Sequence, residues 1–329
     1  MRKFSVLLVI LSFVMCATAI SAELSQEGVV VQTKEETTAP TTSSSPRFNI
    51  GAGYMYTWGS LNTTLNASED FYPFFLKGDK ISQLDYKTDA GMFIINADAF
   101  LFWRLYLDAF VGIGDIQDGE QTDTDWMWQI SDQKWLESKS AADGNVNTWN
   151  VNVNFRVIEE KDDKGYFDLC LGYLYYRDDI TNITDLVYYI ENWEPVYDSI
   201  AGHDSSDKYT FDGFRLGGRA KIRMSERFAL VGNIGFMPWM DAERSGYWNL
   251  RYMDISGDTR GTAFDLMAGV EFKITKFLFV EVGYKYMSFD TNEGDYFHTI
   301  DGVKYEYRNG WGSTEATRSG VYAMGKLKF

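Results

Sequence analysis

Cysteine and histidine are almost absent from this chain of 329 residues, because each occurs only twice. So few thiol and imidazole groups exclude a cysteine-rich zinc domain and a disulfide framework. Beyond residue 22 the chain also lacks any run of 18 or more apolar residues, so no transmembrane helix is predicted. Because thiol and imidazole groups are so scarce, we also expect no metal site.

Basic charge is also in short supply: 31 Lys and Arg stand against 47 Asp and Glu, for a formal net charge of −16. A sequence-independent nucleic-acid binder needs a positive surface, so we predict no nucleic-acid partner. Aromatic side chains are abundant instead, at 16% of residues. That excess over a moderately polar background requires an explanation.

The N-terminal residues have the layout of a targeting signal. Two basic residues precede an apolar run over 4–15 and then small residues, so 1–22 is predicted to be a secretory signal peptide. Cleavage is expected after Ala19 or Ala22. Residues 23–46 are rich in Thr, Ser, Glu and Pro and are predicted to be a disordered periplasmic leader.

Apolar and polar residues alternate along much of the remaining chain, 47–329, in which no domain boundary is visible. Residues 149–157 read Trp-Asn-Val-Asn-Val-Asn-Phe-Arg-Val, with every odd position apolar. Alternation of this kind predicts a β-strand with unlike faces rather than a helix. The same pattern recurs over 215–223, 264–273 and 277–286.

The connections between these segments alternate in length. Short turns are predicted at 101–104, 160–165, 224–227 and 274–276, and long polar stretches at 59–80, 120–147, 178–208, 242–261 and 290–315. Short turns on one side and long loops on the other are typical of outer-membrane barrels. Four turns and five loops join ten strands and place both termini on the periplasmic side.

The C-terminal segment 320–329 is another alternating strand, and it ends in Phe329. Barrel-assembly machinery recognises a terminal strand of this form, so that machinery is a predicted partner. We therefore predict an all-β fold: a ten-stranded, antiparallel, up-and-down transmembrane β-barrel in the bacterial outer membrane. The aromatic excess would form belts at the two membrane interfaces. Charged residues of the second strand faces are expected to fill the lumen: Arg215, Arg219, Lys221, Asp265, Glu271 and Glu281.

A pair of acidic residues is the most informative polar motif. Asp123 and Asp125 lie two apart, so on a strand their carboxylates share one face, ~7 Å apart along the chain. Two neighbouring carboxylates can hold a water molecule or share a proton. A solvated acidic loop has the same sequence pattern, so both interpretations stand at this point.

The chain resembles the omptins, the outer-membrane surface proteases of Gram-negative bacteria, over nearly the whole predicted barrel. The resemblance rests on Ser-Gln-Leu-Asp-Tyr-Lys at 82–87, Asp-Thr-Asp-Trp-Met at 123–127, Trp-Leu-Glu-Ser at 135–138, and Leu-Gly-Tyr at 171–173 with Arg177 after it. It implies an endopeptidase that cuts beside basic residues, activates water between an Asp pair and an Asp–His pair, and needs lipopolysaccharide but no other cofactor.

The resemblance also assigns roles to single residues. Asp123 and Asp125 would form half of the catalytic site. Substrate-binding positions are Glu69, which stands thirteen residues before Ser82, and Glu137. Two tryptophans that border the long loops, Trp239 and Trp248, are further binding candidates, since exposed aromatic side chains anchor proteins and sugars. Tyr173 and Arg177 would contact lipopolysaccharide.

Departures from the omptin pattern bear on the chemistry. The family's Asp-x-His falls on Gly246 and Trp248, so the catalytic imidazole is missing, and a pocket acid falls on Arg244. The two histidines of the chain, His203 and His298, lie in predicted loops. Imidazole is the usual general base near pH 7, and loss of such a dyad costs orders of magnitude in rate.

We therefore predict a divergent, non-proteolytic omptin-like surface protein whose extracellular loops bind an unidentified protein or glycan. The alternative is an active endopeptidase in which Asp123 and Asp125 activate water with a rearranged base. A third possibility is a small porin-like channel.

Overall fold

The computed structural model describes residues 48–67, 79–126, 134–160, 164–191, 194–198, 204–249 and 252–329. The predicted signal peptide and leader lie outside these ranges, as do Glu69 and His203. No helix in the described part of the chain is long and apolar enough to cross a membrane.

Twelve antiparallel β-strands make up the described chain. They are β1 (Phe48–Asn66), β2 (Lys80–Phe102), β3 (Leu105–Trp126), β4 (Lys134–Glu159), β5 (Gly165–Glu191), β6 (Glu194–Asp198), β7 (Asp204–Arg223), β8 (Phe228–Trp248), β9 (Met253–Lys273), β10 (Leu278–Thr291), β11 (Gly294–Ile300) and β12 (Val303–Lys328). Eleven form an up-and-down ring, which the pairing of β1 with β12 closes, as at Asn49 opposite Lys328. The ring has no free edge along this seam.

The number of strands differs from the ten that were predicted. β10 and β11 follow one another between the same two neighbours, β9 and β12, and are separated only by residues 292–293. β6 pairs with β5 alone and lies off the ring. Both extra strands come from breaks and hairpins inside stretches that lack the alternating pattern on which the prediction depended.

The barrel is apolar outside and polar inside. In β4, Val153 is 45% exposed on the outer surface, whereas the neighbouring Asn152 is fully buried in the lumen. The same inversion holds along the strand, with Val151, Phe155 and Val157 exposed and Asn150, Asn154 and Arg156 buried. A soluble sandwich would have the opposite arrangement, so an apolar solvent around the barrel explains this distribution.

Polar and aromatic layers fill the lumen. Arg215 forms a bidentate ion pair with Asp265, with distances of 2.6 Å from Nε to Oδ1 and 2.8 Å from Nη2 to Oδ2. Above this layer the rings of Phe211 and Phe289 stack at 4.8 Å, and Tyr176 packs against Phe289 at the same distance. The charged residues that were predicted to fill the lumen do line its interior as ion pairs.

Three short turns lie where they were predicted, at 101–104, 224–227 and 274–276, at one end of the barrel, whereas residues 161–163 of the turn predicted at 160–165 lie outside the described residues. Two are built alike: Ser225 Oγ accepts a hydrogen bond from the Phe228 amide at 3.2 Å, and Thr275 Oγ1 accepts one from the Leu278 amide at 3.0 Å. At the other end the strands continue far into the stretches predicted as loops, so β4 alone spans 26 residues. Strands of this length extend beyond what a bilayer requires.

Candidate functional site at the loop end of the barrel

The acid pair lies near the loop end of β3. Asp123 stands opposite Leu84 of β2 and Ser138 of β4, and its Oδ1 accepts a hydrogen bond from Ser82 Oγ at 3.3 Å. Asp125 is buried. Because alternate residues share a face, both carboxylates point to the inner side of the barrel, like Gln121 lower on the same strand.

Tyr209 of β7 faces the acid pair across the lumen. Its ring packs edge-on against Tyr86, with centroids 6.1 Å apart. Burial raises the pKa of Tyr209 well above its ordinary value, and the nearby charges of Asp207 and Asp123 raise it further, against the opposing effect of Arg244. Asp123 and Tyr209 therefore share one electrostatic environment, in which the phenol keeps its proton at neutral pH.

A buried ion pair occupies the wall opposite the acids. Arg244 of β8 donates from Nε and Nη2 to the two carboxylate oxygens of Asp207 on β7, at 3.0 and 3.2 Å. Tyr86 Oη donates to Asp207 Oδ2 at 2.5 Å, and Gln121 Nε2 donates to Tyr86 Oη at 3.3 Å. These bonds join four strands across the lumen: β2, β3, β7 and β8.

The charges in this network are fixed. Although burial disfavours its charge, the Asp207 carboxylate holds the pKa of Arg244 above its ordinary value. Burial, followed by the Asp207 charge, raises the pKa of Tyr86 well above its ordinary value. These groups lie closer to the loop end than the apolar band of the outer surface does. The outward-facing residues next to Tyr86, Asp85 and Lys87, are polar.

The space beside Gly246 is taken by this ion pair. A Cβ atom at Gly246 would lie 2.3 Å from the Ser206 carbonyl oxygen and 2.7 Å from Asp207 Oδ1. No side chain fits there without a shift of the backbone. Trp248, two residues further on, is buried, and the Arg244 guanidinium lies 5.8 Å from its ring centre. The two positions that the omptin resemblance assigns to Asp and His are thus occupied by a glycine, beside which no side chain fits, and by a buried indole.

His298 lies on β11, within a group of tyrosines. Its Nε2 is 3.2 Å from Tyr307 Oη, and its ring lies 5.0 Å from Tyr305 and 4.8 Å from Tyr307. Burial lowers the pKa of His298 below its ordinary value. The structure therefore holds this imidazole in a contact with tyrosine, on a hairpin rather than on the wall that carries Arg244.

Two of the predicted substrate-binding residues are not brought to the acid pair. Glu137 pairs in register with Thr124, so it lies on the opposite face of the sheet from Asp123, where Lys134 binds its carboxylate. Trp239 is 76% exposed on the outer surface of β8. Of the predicted binding residues in the described chain, only Trp248 points into the lumen.

Tyr173 and Arg177 lie together on the outer surface of β5. Tyr173 stacks against Trp149 with ring centres 5.8 Å apart, and its hydroxyl donates to Asp212. Arg177 donates from Nη2 to Asp179 Oδ1 at 2.6 Å. Each of the two residues is thus paired with a carboxylate, which competes with any phosphate group for the same donors.

Sequence reasoning missed Asp207, Tyr86 and Tyr209 as parts of this site. Tyr86 did carry a signal, because it stands where the similar omptin segment has tryptophan. Asp207 carried none, since it lies 37 residues from Arg244 in the chain and meets it only through the pairing of β7 with β8.

Comparisons with known proteins place the fold. Neither a protein-family model nor a curated protein matches the sequence. Among solved structures, the outer membrane protease OmpT of Escherichia coli aligns with a TM-score of 0.74 and 17% identity, over 89% of this chain and 99% of that chain. The translocator domain of autotransporter NalP of Neisseria meningitidis aligns over 99% and 98%, but with a TM-score of only 0.36 and 9% identity. The chain therefore has the antiparallel, up-and-down outer-membrane barrel fold of the kind seen in OmpT.

Proposed function

We propose that this chain is a divergent, omptin-like barrel of the bacterial outer membrane that does not cleave peptides and instead binds an extracellular protein or glycan through its loop end. The buried Arg244–Asp207 pair carries the proposal. It fills the wall on which the family resemblance requires a catalytic Asp–His pair.

Among the residues that the structure describes, the side chains around Asp123 include no imidazole that could act as a general base. An arginine does not give up its proton in proteins, so Arg244 cannot accept one from water. Tyr86 and Tyr209 keep their protons because their pKa values are raised. Water held at the acid pair would therefore meet a cation and two phenols, which favour binding over hydrolysis.

A peptidase assay tests this part of the proposal. The protein, refolded with lipopolysaccharide, is incubated with quenched fluorescent peptides that contain paired basic residues. We expect no cleavage above the level of the Asp123→Asn variant. Cleavage by the wild type that disappears in Asp123→Asn and persists in Glu243→Gln, an outward-facing acid on β8, would establish the alternative, an active endopeptidase.

Exposed aromatic residues at the loop end support the binding role. Trp135 is 45% exposed at the start of β4, and Tyr305 is 46% exposed on the hairpin of β11 and β12. Tyr252, between β8 and β9, is also exposed. Rigid aromatic side chains supply much of the binding energy of protein and sugar interfaces.

We expect the protein in lipid nanodiscs to bind at least one probe on an array of defined oligosaccharides and immobilised matrix proteins. Trp135→Ser with Tyr305→Ser should weaken that binding at least ~10-fold, as for loss of hot-spot aromatics. Trp103→Ser is the control, because Trp103 is even more exposed, at 74%, but lies in a turn at the other end. Binding that the Trp103 variant loses and the loop-end variant keeps would refute the assignment.

The proposed membrane placement puts both termini and the short turns in the periplasm. The exposed outer surface, with aromatic residues such as Tyr54 and Tyr284, supports a lipid environment. Tyr173 and Arg177 share this outer face and are proposed contacts for lipopolysaccharide. Phe329, which stacks on Phe48 at the strand seam, is the proposed signal for the barrel-assembly machinery.

A further inference from the structure

The hairpin of β11 and β12 presents a strand edge at the loop end of the barrel. On one side, residues 303–306 of β12 pair with β11, as at Tyr305 opposite His298. On the other side no strand of the described chain lies next to them, because the pairing of β1 with β12 ends at Leu65 opposite Trp311. A strand edge of this kind is a template onto which another chain can add as a further strand.

The edge segment, residues 303–306, is accessible to a partner. Val303 is 54% exposed and Tyr305 is 46% exposed, and the side chain of Glu306 is 53% exposed. The segment contains no proline, which would remove a backbone donor from the edge. Its charges also differ in sign, whereas a run of like charges would repel a second copy.

The charge pattern of the edge segment is complementary to itself. Lys304 and Glu306 lie on one face of the strand, on either side of Tyr305. In an antiparallel pair of two copies with the two Tyr305 residues opposite one another, each Lys304 lies directly opposite Glu306 of the other copy. Parallel pairing in register would instead bring like charges together. Opposite charges across a strand pair are stabilising and like charges destabilising, so the pattern favours the antiparallel pair.

Contacts within the hairpin leave these two charges available. Lys304 Nζ lies 3.7 Å from the ring centre of Phe297, and Glu306 Oε1 is 3.6 Å from Arg308 Nε in an exposed pair, which contributes little. A register that matches Glu306 with Arg308 would also pair opposite charges. It would draw Asn309 into the ladder, however, and the φ of Asn309 is +54°, which a regular strand does not accommodate.

The direction of β12 determines how two such copies are oriented. In every copy β12 runs from the loop end of the barrel to the turn end. An antiparallel neighbour runs the opposite way, so the second barrel points its loop end towards the first. Two barrels in the same membrane cannot meet in this way, because both β12 strands then descend towards the same periplasm. The antiparallel contact therefore joins copies in two membranes that face one another.

We propose that residues 303–306 join two copies of this chain across two apposed outer membranes, by antiparallel pairing of their β12 edges. The proposal goes beyond the loop-end binding role and needs only the proposed orientation of the barrel. A single contact of this size is weak. Many copies in each membrane act together, so a modest affinity for each pair is sufficient.

Vesicle tethering tests the proposal. The protein is reconstituted into two populations of phosphatidylcholine vesicles with different dyes, and joint diffusion is measured by fluorescence cross-correlation. We expect tethering when both populations carry the wild type, and its loss at about 1 M NaCl, which screens exposed charges. Lys304→Glu in both populations should reduce tethering about tenfold, as should Glu306→Lys in both, because each places like charges opposite one another.

A mixture of the two variants provides the decisive comparison. Vesicles with Lys304→Glu and vesicles with Glu306→Lys should tether to each other, because every acid again faces a lysine. This recovery also shows that both variants are folded. Arg308→Gln is the matched control: it removes a charge from the same face but has no charged residue opposite it in the proposed register, so it should not weaken tethering.

Two outcomes would overturn the proposal. The first is a mixture of the two variants that tethers no better than either alone. The second is tethering when only one population carries the protein, which would identify lipid as the partner. The vesicles contain neither peptides nor oligosaccharides, so these outcomes are independent of the peptidase and array experiments.

Cross-linking tests the register. In a chain with its buried free cysteine replaced, Cys170→Ser, the variant Tyr305→Cys should form an intermolecular disulfide between nanodiscs when oxidised with copper phenanthroline. Residues directly opposite one another have Cα atoms about 4.5–5.5 Å apart, which a disulfide can span. Val303→Cys is the control, because the two copies of residue 303 would lie about 13 Å apart along the strands. Equal cross-linking of both variants would refute the register.

Discussion

At the scale of single residues, the Arg244–Asp207 pair shows why a buried ion pair shapes a site more than it stabilises a fold. Both charges lose their hydration on burial, and their mutual attraction roughly offsets that loss. Once one partner is removed, the other remains charged in a place that water does not reach. Replacement of either partner alone therefore lowers the free energy of unfolding. This cost would disfavour single substitutions that alter the wall near Gly246.

We expect Asp207→Ala to lower the free energy of unfolding by about 3–5 kcal/mol, because it leaves the Arg244 guanidinium buried and unmatched. The double variant Asp207→Leu with Arg244→Met should recover most of that loss. Urea titration in lipid vesicles, followed by tryptophan fluorescence, measures both.

Arg260→Ala is the control for this experiment, since Arg260 contacts Asp241 at 3.6 Å and both side chains are largely exposed. Exposed pairs contribute about 0–1 kcal/mol. If Asp207→Ala lowers the free energy of unfolding no more than Arg260→Ala does, the Arg244–Asp207 pair is solvated. The argument that this pair fills the wall required for a catalytic Asp–His pair then fails.

At the scale of elements, the hairpin of β11 and β12 is the most distinctive unit of the loop end. β11 pairs with β9 on one side and β12 on the other, so it continues the wall above the end of β10. On it, Tyr296, His298, Tyr305 and Tyr307 pack their rings together. Burial lowers the pKa of His298, so the hairpin favours the neutral imidazole.

Protonation should therefore loosen this hairpin. The pKa of His298 is lower in the folded hairpin than its ordinary value of about 6.5, so the open form binds more protons below that pH. Above pH ~7 the effect is absent, and stability falls as the pH drops through 6.5.

Hydrogen exchange of the β11 and β12 amides, corrected for intrinsic rates, should show less protection at pH 5 than at pH 7.5. In His298→Gln that difference should vanish. An NMR titration that places the folded-state pKa of His298 at or above 6.5 would contradict the prediction.

At the scale of the whole molecule, side chains of the described residues cross the lumen at several levels. Ion pairs such as Arg215–Asp265 occupy the lower part, and the stacked rings of Phe211 and Phe289 lie above them. Arg318 binds Thr57, Thr88 and Tyr176 from three strands and is almost fully buried. Side chains thus bridge the barrel at successive levels, as in small barrels whose interiors are packed.

We accordingly expect no unitary conductance when the purified protein is inserted into planar bilayers. Removal of the aromatic layer, by Phe211→Ala with Phe289→Ala, should allow at most a leak, because the ion pairs below it remain. Reproducible single-channel steps from the wild type would revive the channel alternative.

Most of the architecture could be predicted from the sequence, because a strand with lipid on one face and a polar lumen on the other alternates apolar and polar residues. Residues 151–157 gave the correct strand and the correct outward face, and the turns at 101–104, 224–227 and 274–276 were placed correctly. The upper strand segments were predicted as loops, since beyond the membrane both faces become polar and the alternation disappears. The Arg244–Asp207 pair was not predictable, because it depends on the register of two strands and not on any local spacing.

The seam between β1 and β12 has a consequence for how this protein is made. Its pairs join the first described strand to the last one, so the two strands that close the cylinder lie far apart in the sequence. Until these two strands pair, a folding intermediate exposes an unpaired strand edge that is prone to aggregate. Closure of the cylinder is thus an event of high contact order, and substitutions that weaken the pairing of β1 with β12 should slow it and prolong that exposure.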